Sequence, residues 1–344
     1  MRRLDRWHNP AMAEAPRYEA SVIIASHNRR EMLRRCLESL AVQTQDPATF
    51  EVVVADDGSA DDSAEMAEEM PTPFHLRVLR LENGGQSAAQ RAAVDSCASP
   101  LLVLLDDDVI AAPELLAEHL AGHREHPASI GIGSLRQTAP DARDWYAHTF
   151  ARLWNDHYDE LAGREARWDD CWGGNLSFPR SAVTAIGGIP TDLPAAFDFD
   201  LALRLVGAGL RPRFLPRALG THDDQKRSSR MLVDAREQGA AYVELSRQFP
   251  EVEEVLLPWS QGARPGELTV RRALLALRIP PALIAPLGRL LPEGGRRMSW
   301  QKIVKRLSMW SGARRNLSRA EWAALTRTPP KARLYRGGMA TVLW

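Results

Sequence analysis

Between residues 20 and 135 the chain repeats one pattern: a short run rich in Val, Ile and Leu, a polar or acidic stop, then a helical stretch. Residues 20–26, 50–55, 76–81, 101–105 and 129–135 have the length and composition of strands buried on both faces. Residues 30–42, 60–70, 86–97 and 113–126 read as the helices between them, the last with Pro113 in its first turn. Such alternation predicts a mostly parallel sheet flanked by helices. In open sheets of this kind ligands gather beyond the carboxyl ends of the strands. Here the first four strands stop on Ser26-His27-Asn28-Arg29, Asp56-Asp57-Gly58-Ser59, Asn83-Gly84-Gly85-Gln86 and Asp106-Asp107-Asp108. Loop chemistry accounts for any one of these. Four together predict a polar crevice along one sheet edge, suited to a nucleotide or a metal ion.

The last terminus is the most specific. Three carboxylates directly after a buried strand add nothing to packing, because they repel and resist desolvation. Alternation along an extended chain sends Asp106 and Asp108 to one side and Asp107 to the other. A same-side carboxylate pair suits a hard divalent cation with oxygen ligands. The competing reading of Asp-Asp-Asp taken alone is a solvated acidic turn.

A chain of 344 residues with 44% hydrophobic and 26% charged residues is expected to be globular, with one large domain and an appendage. Cys36, Cys97 and Cys171 are odd in number and far apart, which reads as reduced thiols in a cytosolic protein. Residues 1–18 carry Arg2, Arg3 and Arg6 and no apolar run, so a flexible tail is expected rather than a signal peptide. The net charge of zero hides an asymmetry. Residues 261–344 hold 17 Lys and Arg against three acids, a balance of +14, which leaves −14 for residues 1–260. An acidic body with a basic arm points to an anionic surface. Residues 270–291 are apolar, but four arginines and three prolines interrupt them, so they form no spanning helix. Basic residues among Leu, Ile, Trp300, Trp310 and Trp322 suit a membrane interface. A basic subdomain packed on the acidic body is the competing reading. No nucleic-acid module accompanies the charge, and no nucleic-acid partner is expected.

In the middle third, residues 144–161 read as a helix carrying Trp145, Phe150, Trp154 and Tyr158, and 171–178 as a strand entered through glycines. Residues 198–209 read as a short amphipathic helix stopped by Gly209. Trp145, Trp154, Trp168 and Trp172 offer a stacking surface, with about half of them expected in the core. Trp172, beside two glycines, is the best pocket candidate.

Taken together, SVIIASHNR (21–29), VADDGS (54–59), NGGQSAAQRAA (83–93) and LLDDD (104–108) resemble glycosyltransferase family 2. GGNLSFP (173–179), AIGGI (185–189) and DFDLALR (198–204) extend the resemblance, which covers roughly residues 20–225. It implies an α/β GT-A fold: a nucleotide-diphospho-sugar transferase with a mostly parallel Rossmann-like sheet. The expected organisation is a tail over 1–18, a catalytic domain over 19–225 and a basic, mainly helical region over 226–344.

The resemblance also implies roles. Asp57 contacts the nucleobase, Ser26 and Arg29 line the same pocket, and Asn83 and Gly84 form the loop near the nucleotide. Asp106 holds the ribose region, Asp108 is the direct metal ligand and His222 completes the metal shell around Mg²⁺ or Mn²⁺. Asp198 is the catalytic base, with Trp172, Gly173 and Asn175 bordering the acceptor. The chain departs from the family pattern at Ala25 and His27, where Pro and Tyr are usual, and at Phe197, where Glu is usual. That leaves Asp200 as a competing base. The implied reaction is inverting transfer of one sugar, most commonly from a UDP-sugar, to a hydroxyl of a glycan or lipid-linked acceptor. Spanning helices and the Gln-x-x-Arg-Trp signature are absent, so single-sugar addition is expected, at the inner face of the cytoplasmic membrane. A nucleotidyltransferase is the rival enzyme class, but no basic Gly-rich phosphate loop is present. A phosphoacceptor signalling domain would end near residue 125, and an inactive sugar-nucleotide-binding or membrane scaffold would not need all four acids.

Overall fold

A computed structural model describes residues 17–138, 145–193, 195–222, 228–256, 273–292 and 294–327. Most of the expected tail, Asp223, and much of the basic C-terminal region (257–272 and 328–344) lie outside the described residues.

The β-branched runs form strands as expected: β1 (Ala20–Ser26), β2 (Phe50–Asp56), β3 (His75–Arg80) and β4 (Leu101–Leu105). β1, β2 and β4 are buried almost end to end, as a sheet covered on both faces requires. The four strands pair in parallel in the order β3-β2-β1-β4. Helices α1 (Arg30–Leu40), α2 (Ser63–Glu69), α3 (Gln86–Asp95) and α4 (Leu115–Glu125) intervene, each slightly shorter than its apolar pattern. Pro113 precedes α4 rather than opening it.

Beyond β4 the sheet becomes mixed. β5 (Val109–Ala111), β6 (Ser129–Gln137), β7 (Asn175–Pro179) and β8 (Arg211–His222) complete the order β3-β2-β1-β4-β7-β6-β8-β5. β7 lies antiparallel between β4 and β6, so residues 129–135 do not extend the parallel run directly. β6 and β8 are parallel, which returns the ends of both to the same edge as β1–β4. α5 (Trp145–Leu161) follows β6, and α6 (Arg180–Ala185) and α7 (Phe197–Gly207) lie between β7 and β8.

The link from β4 to β5 shapes the whole sheet. Val109 N donates to Asp106 O at 3.2 Å, a turn whose ends are less than about 7 Å apart. β4 and β5 are separated by four strand spacings, roughly 19 Å if the sheet were flat. The sheet must therefore curl until the end of β8 comes beside the end of β4. A bulge provides the bend: Gly133 pairs with Leu215 and Ser134 with Leu219, leaving residues 216–218 of β8 outside the ladder.

The C-terminal helices α8 (Ser228–Gln248), α9 (Pro250–Leu256), α10 (Pro281–Ile284), α11 (Gly295–Asn316) and α12 (Arg319–Arg327) are not a separate lobe. Tyr242, Val243, Leu245, Met309 and Trp310 belong to the same apolar cluster as the strands. α8 and α11 cross at van der Waals distance because glycines face the neighbouring backbone. A Cβ on Gly239 would lie 1.9 Å from Met309 O, and one on Gly312 1.9 Å from Arg236 O. No described helix is long and apolar enough to cross a membrane. The three cysteines are buried and free. Because the clash meets backbone on both helices, Gly312→Ala should destabilise the fold by about 1–3 kcal/mol. Urea denaturation checks this, and an unchanged midpoint would contradict the crossing.

Candidate active site

The curl brings the ends of β1, β2, β4 and β8 around one cleft of about 190 Å³, lined by Ser26, His27, Arg29, Asp57, Gln86, Asp106, Asp107, Asp108 and His222. Asp108 is buried, with Oδ1 2.8 Å from His222 Nε2 and Oδ2 against the Arg29 guanidinium. Burial opposes its charge, but contact with His222 and Arg29 outweighs that and holds the carboxyl well below the usual range. One donor atom each from Asp106, Asp108 and His222 lies within 4.8 Å of the others. Two carboxylates and an imidazole converging so closely fit Mg²⁺ or Mn²⁺, and His222 reaches the set from a strand far away in sequence.

Asp107, expected on the opposite side with no task, is the clasp of the site. It accepts from Ser26 Oγ at 2.7 Å and pairs with Arg29 at 3.1 Å, tying the end of β1 to the end of β4. Burial pushes its carboxyl up to about 7 against the pull of Arg29. Alternation does not hold here because Asp106–Val109 is a turn, not extended chain. Ser26 and Arg29 therefore line the cleft while engaged by these two acids. Asp57 accepts from the Gly84 and Gly85 amides at 2.7 and 2.9 Å. It thereby fixes the loop after β3, and Asn83 Nδ2 donates to the Asp57 carbonyl at 3.0 Å. Two further residues enter the cleft. His27 contacts Asp57 O at 2.8 Å, and Gln86, at the start of α3, donates to Asp106 Oδ1 at 3.1 Å.

A second cleft, of about 200 Å³, adjoins the first through Asp106 and His222. Asp198 lines it from the first turn of α7, where its carboxylate accepts from the amides of Gly173 (3.2 Å) and Phe199 (3.0 Å). Burial raises this carboxyl to about 6 despite the two amides. The competing Asp200 is buried away from the cleft and paired with Arg204 at 2.6 Å, one helical turn on. Ala196 opens α7 in the left-handed region (φ 58°), a conformation that strains any residue with a Cβ.

Trp172 lines the second cleft but is only 4% exposed, packed against Trp154 (4.1 Å between ring centroids) and His157 (4.3 Å). It braces the wall and offers no open ring face. Trp154 and Phe150 are the partly exposed rings of the cleft, whereas Trp168 packs on Phe199 and Trp145 joins a cluster with Ile303 and Leu307. Arg164 grips Asp170 with two 2.7 Å bonds and Arg167 holds Asp169 at 2.9 Å, fixing the segment that presents Trp172 and Gly173.

Asn175, expected beside the acceptor, lines neither of these clefts. It is 2% exposed, its Nδ2 donates to Ala218 O at 2.9 Å and its Oδ1 meets His119 Nε2 at 2.8 Å. Since that oxygen only accepts, His119 Nε2 carries the proton, and Nδ1 accepts from Ser177 Oγ at 2.7 Å. Asn175 is the centre of a buried polar layer joining α4, β7 and β8.

The outer wall of the second cleft comes from the C-terminal helices: Met231, Asp234 and Gln238 of α8 and Lys305 of α11. The Lys305 ammonium lies 4.6 Å from the centroid of the Phe150 ring. Burial, with Lys302 nearby, pulls it down to about 7. No local sequence pattern distinguishes Lys305 from the other cations of its helix.

A curled α/β sheet with a carboxylate–imidazole set at the edge of its parallel strands defines an α/β transferase of the GT-A class. Residues 21–187 match the family model Glycosyl transferase family 2, so the chain carries a family 2 glycosyltransferase domain. An uncharacterized glycosyltransferase, YfnE, of Bacillus subtilis (strain 168) is 26% identical over 63% of this chain and 68% of its own length. Validoxylamine A glucosyltransferase of Streptomyces hygroscopicus subsp. limoneus is 34% identical over 55% of this chain, which spans 48% of that relative. The fold matches a mannosyltransferase of Pyrobaculum calidifontis, solved with GDP-mannose and Mn²⁺, at a TM-score of 0.62 and 20% identity. That likeness covers 88% of this chain and 89% of the other.

The buried layer generates a pH prediction. Burial lowers His119 and His123 from 6.5 to about 4. As pH falls, the unfolded chain takes up these protons first, below about 6.5, whereas the folded protein resists until about 4. Stability should therefore be complete above about 6.5 and fall progressively between there and 4. Denaturant titrations across that window test it, and His119→Asn should flatten the slope. Asn175→Ala, which strands buried partners, should destabilise by about 1–3 kcal/mol without changing nucleotide affinity.

Proposed function

We propose that the protein transfers one sugar, with inversion, from a nucleoside-diphosphate sugar to a hydroxyl of a glycan or lipid-linked acceptor. The observation that carries this reading is the junction of two clefts at Asp106 and His222, with acids for the donor on one side and Asp198 on the other. The first cleft takes the nucleoside diphosphate, and the second takes the acceptor. Asp106, Asp108 and His222 would hold a divalent cation, and such an ion supplies Lewis-acid neutralisation of the diphosphate as it leaves. Arg29 and Ser26, through Asp107, keep the β1 and β4 termini at the spacing this set needs.

Asp198 takes the proton from the acceptor hydroxyl as the new bond forms at the sugar carbon and the bond to the diphosphate breaks. A carboxyl raised to about 6 is a better base near neutral pH than an ordinary aspartate, and general-base action of this kind contributes about 10²–10⁴-fold. The Gly173 and Phe199 amides hold it in place. Asp106 serves the donor and Asp234 stands on the outer wall contributed by α8, which leaves Asp198, beside Gly173, as the acid for that proton. A single displacement, and hence inversion, follows. Trp154 and Phe150 offer ring faces to the acceptor, and Lys305, Asp234 and Gln238 read its substituents. The basic surplus of the C-terminal region supports a reading in which the enzyme works peripherally at a membrane surface.

Thermal-shift measurements with UDP, GDP and their sugar derivatives, with and without Mn²⁺, test the donor site. One nucleotide class should raise Tm in a metal-dependent way, Asp108→Ala should abolish that rise and Asp198→Asn should keep it. No shift with any nucleotide and metal would overturn the assignment. With a donor in hand, kcat should fall as pH drops through about 6, since the base works only ionised. Asp198→Asn should lower kcat about 10²–10⁴-fold above about pH 6 and remove that pH dependence.

A further inference from the structure

Helical periodicity separates two sides of α8. Met231, Asp234 and Gln238 face the acceptor cleft, while Leu232, Val233 and Arg236 lie roughly half a turn away and line a different groove. On α11, Lys305 faces the cleft, whereas Leu307, Arg314 and Arg315 face the groove. The groove encloses about 630 Å³ and shares no lining residue with the acceptor cleft.

Its chemistry is amphiphilic. Leu232 and Leu307 are buried in its wall, with Leu275 and Ile279 beside them. Four guanidinium groups, from Arg236, Arg278, Arg314 and Arg315, line the same space with no carboxylate among the lining residues. Among the described residues none of the four has an ion-pair partner. Arg278 carries a second signal. Its amide donates to Leu275 O, and the Ile279 amide to Leu274 O, a helix ending that normally places glycine where Arg278 sits at φ 53°. The chain bears backbone strain to put an arginine at this point. Beside the groove, Leu277 and Leu283 are each 70% exposed and Leu290 82%. Exposed leucines interleaved with arginines make a face that water solvates poorly and an anionic bilayer solvates well.

We propose that this face docks on an anionic phospholipid bilayer, a lipid phosphate meeting Arg236, Arg278, Arg314 and Arg315, its acyl chain entering the groove, and Leu277, Leu283 and Leu290 inserting alongside. The proposal rests on the reading of the enzyme as peripheral at a membrane and is independent of the donor chemistry. Charge complementarity selects the bilayer: a cationic rim needs an anionic head, and an apolar floor beneath it needs a chain attached to that head.

The test is co-sedimentation of the full chain with phosphatidylcholine vesicles, with and without phosphatidylglycerol, across a salt series. Binding should require phosphatidylglycerol and weaken with salt. Arg314→Glu combined with Arg315→Glu should weaken it about tenfold or more. Leu283→Ser combined with Leu290→Ser should weaken it while leaving the salt dependence in place. All these positions are exposed, and the circular dichroism and metal-dependent nucleotide thermal shift of each variant should match the parent. Equal binding to neutral vesicles, no binding to either, or arginine variants that bind like the parent would overturn the docking face. A lost nucleotide shift in the parent, with lipid binding intact, would instead fail the donor reading alone.

Discussion

A buried anion organises this protein. Asp108 sits at the end of a core strand, out of water, and a lone carboxylate there would be neutralised or expelled. It stays ionised because Arg29, after β1, and His222, at the end of β8, reach it from either side. Those two contacts join strands that are far apart in the order of the sheet, so the electrostatics of one side chain and the curl of the backbone are a single constraint. Removing one partner from such a pair typically costs about 3–5 kcal/mol, because the other charge stays buried. The first cleft is the space left when the curl closes around that anion.

Much of this was readable in advance, for identifiable reasons. Strands buried on both faces announce themselves by unbroken Val, Ile and Leu, so β1, β2 and β4 appear in the sequence almost to the residue. The polar termini after them share an edge because parallel strands end on the same side. Other features depended on partners remote in sequence. The antiparallel β7 between β4 and β6 cannot be inferred from its composition, which is that of any short strand. Asp107 looked idle because alternation assumes extended chain, and a turn replaces it. Asn175 stands between two glycines and a strand in a motif that points to the acceptor. Its buried partner His119 comes from α4, which nothing local to Asn175 reveals.

The C-terminal helices were legible in charge but not in position. Their basic surplus pointed to an anionic partner, whereas the competing idea was packing on the acidic body. The packing is observed, since Tyr242, Met309 and Trp310 share the core of the sheet, and the anionic partner is a proposal for the cationic groove on another face. The pairing of Gly239 and Gly312 makes this arrangement possible, since two helices at backbone contact present one joint surface to each side. Wall residues of the second cleft such as Lys305 are thus supplied by a part of the chain beyond the matched family segment.

The turn at Asp106–Val109 has one more consequence. It joins β4 to β5 with no slack, and its carbonyl and amide already close the hydrogen bond that sets its width. Adding a residue would push Asp108 off the line between Arg29 and His222, and removing one would pull β5 from its ladder with β8. This stretch is therefore locked in length: it can vary by substitution but not by insertion or deletion.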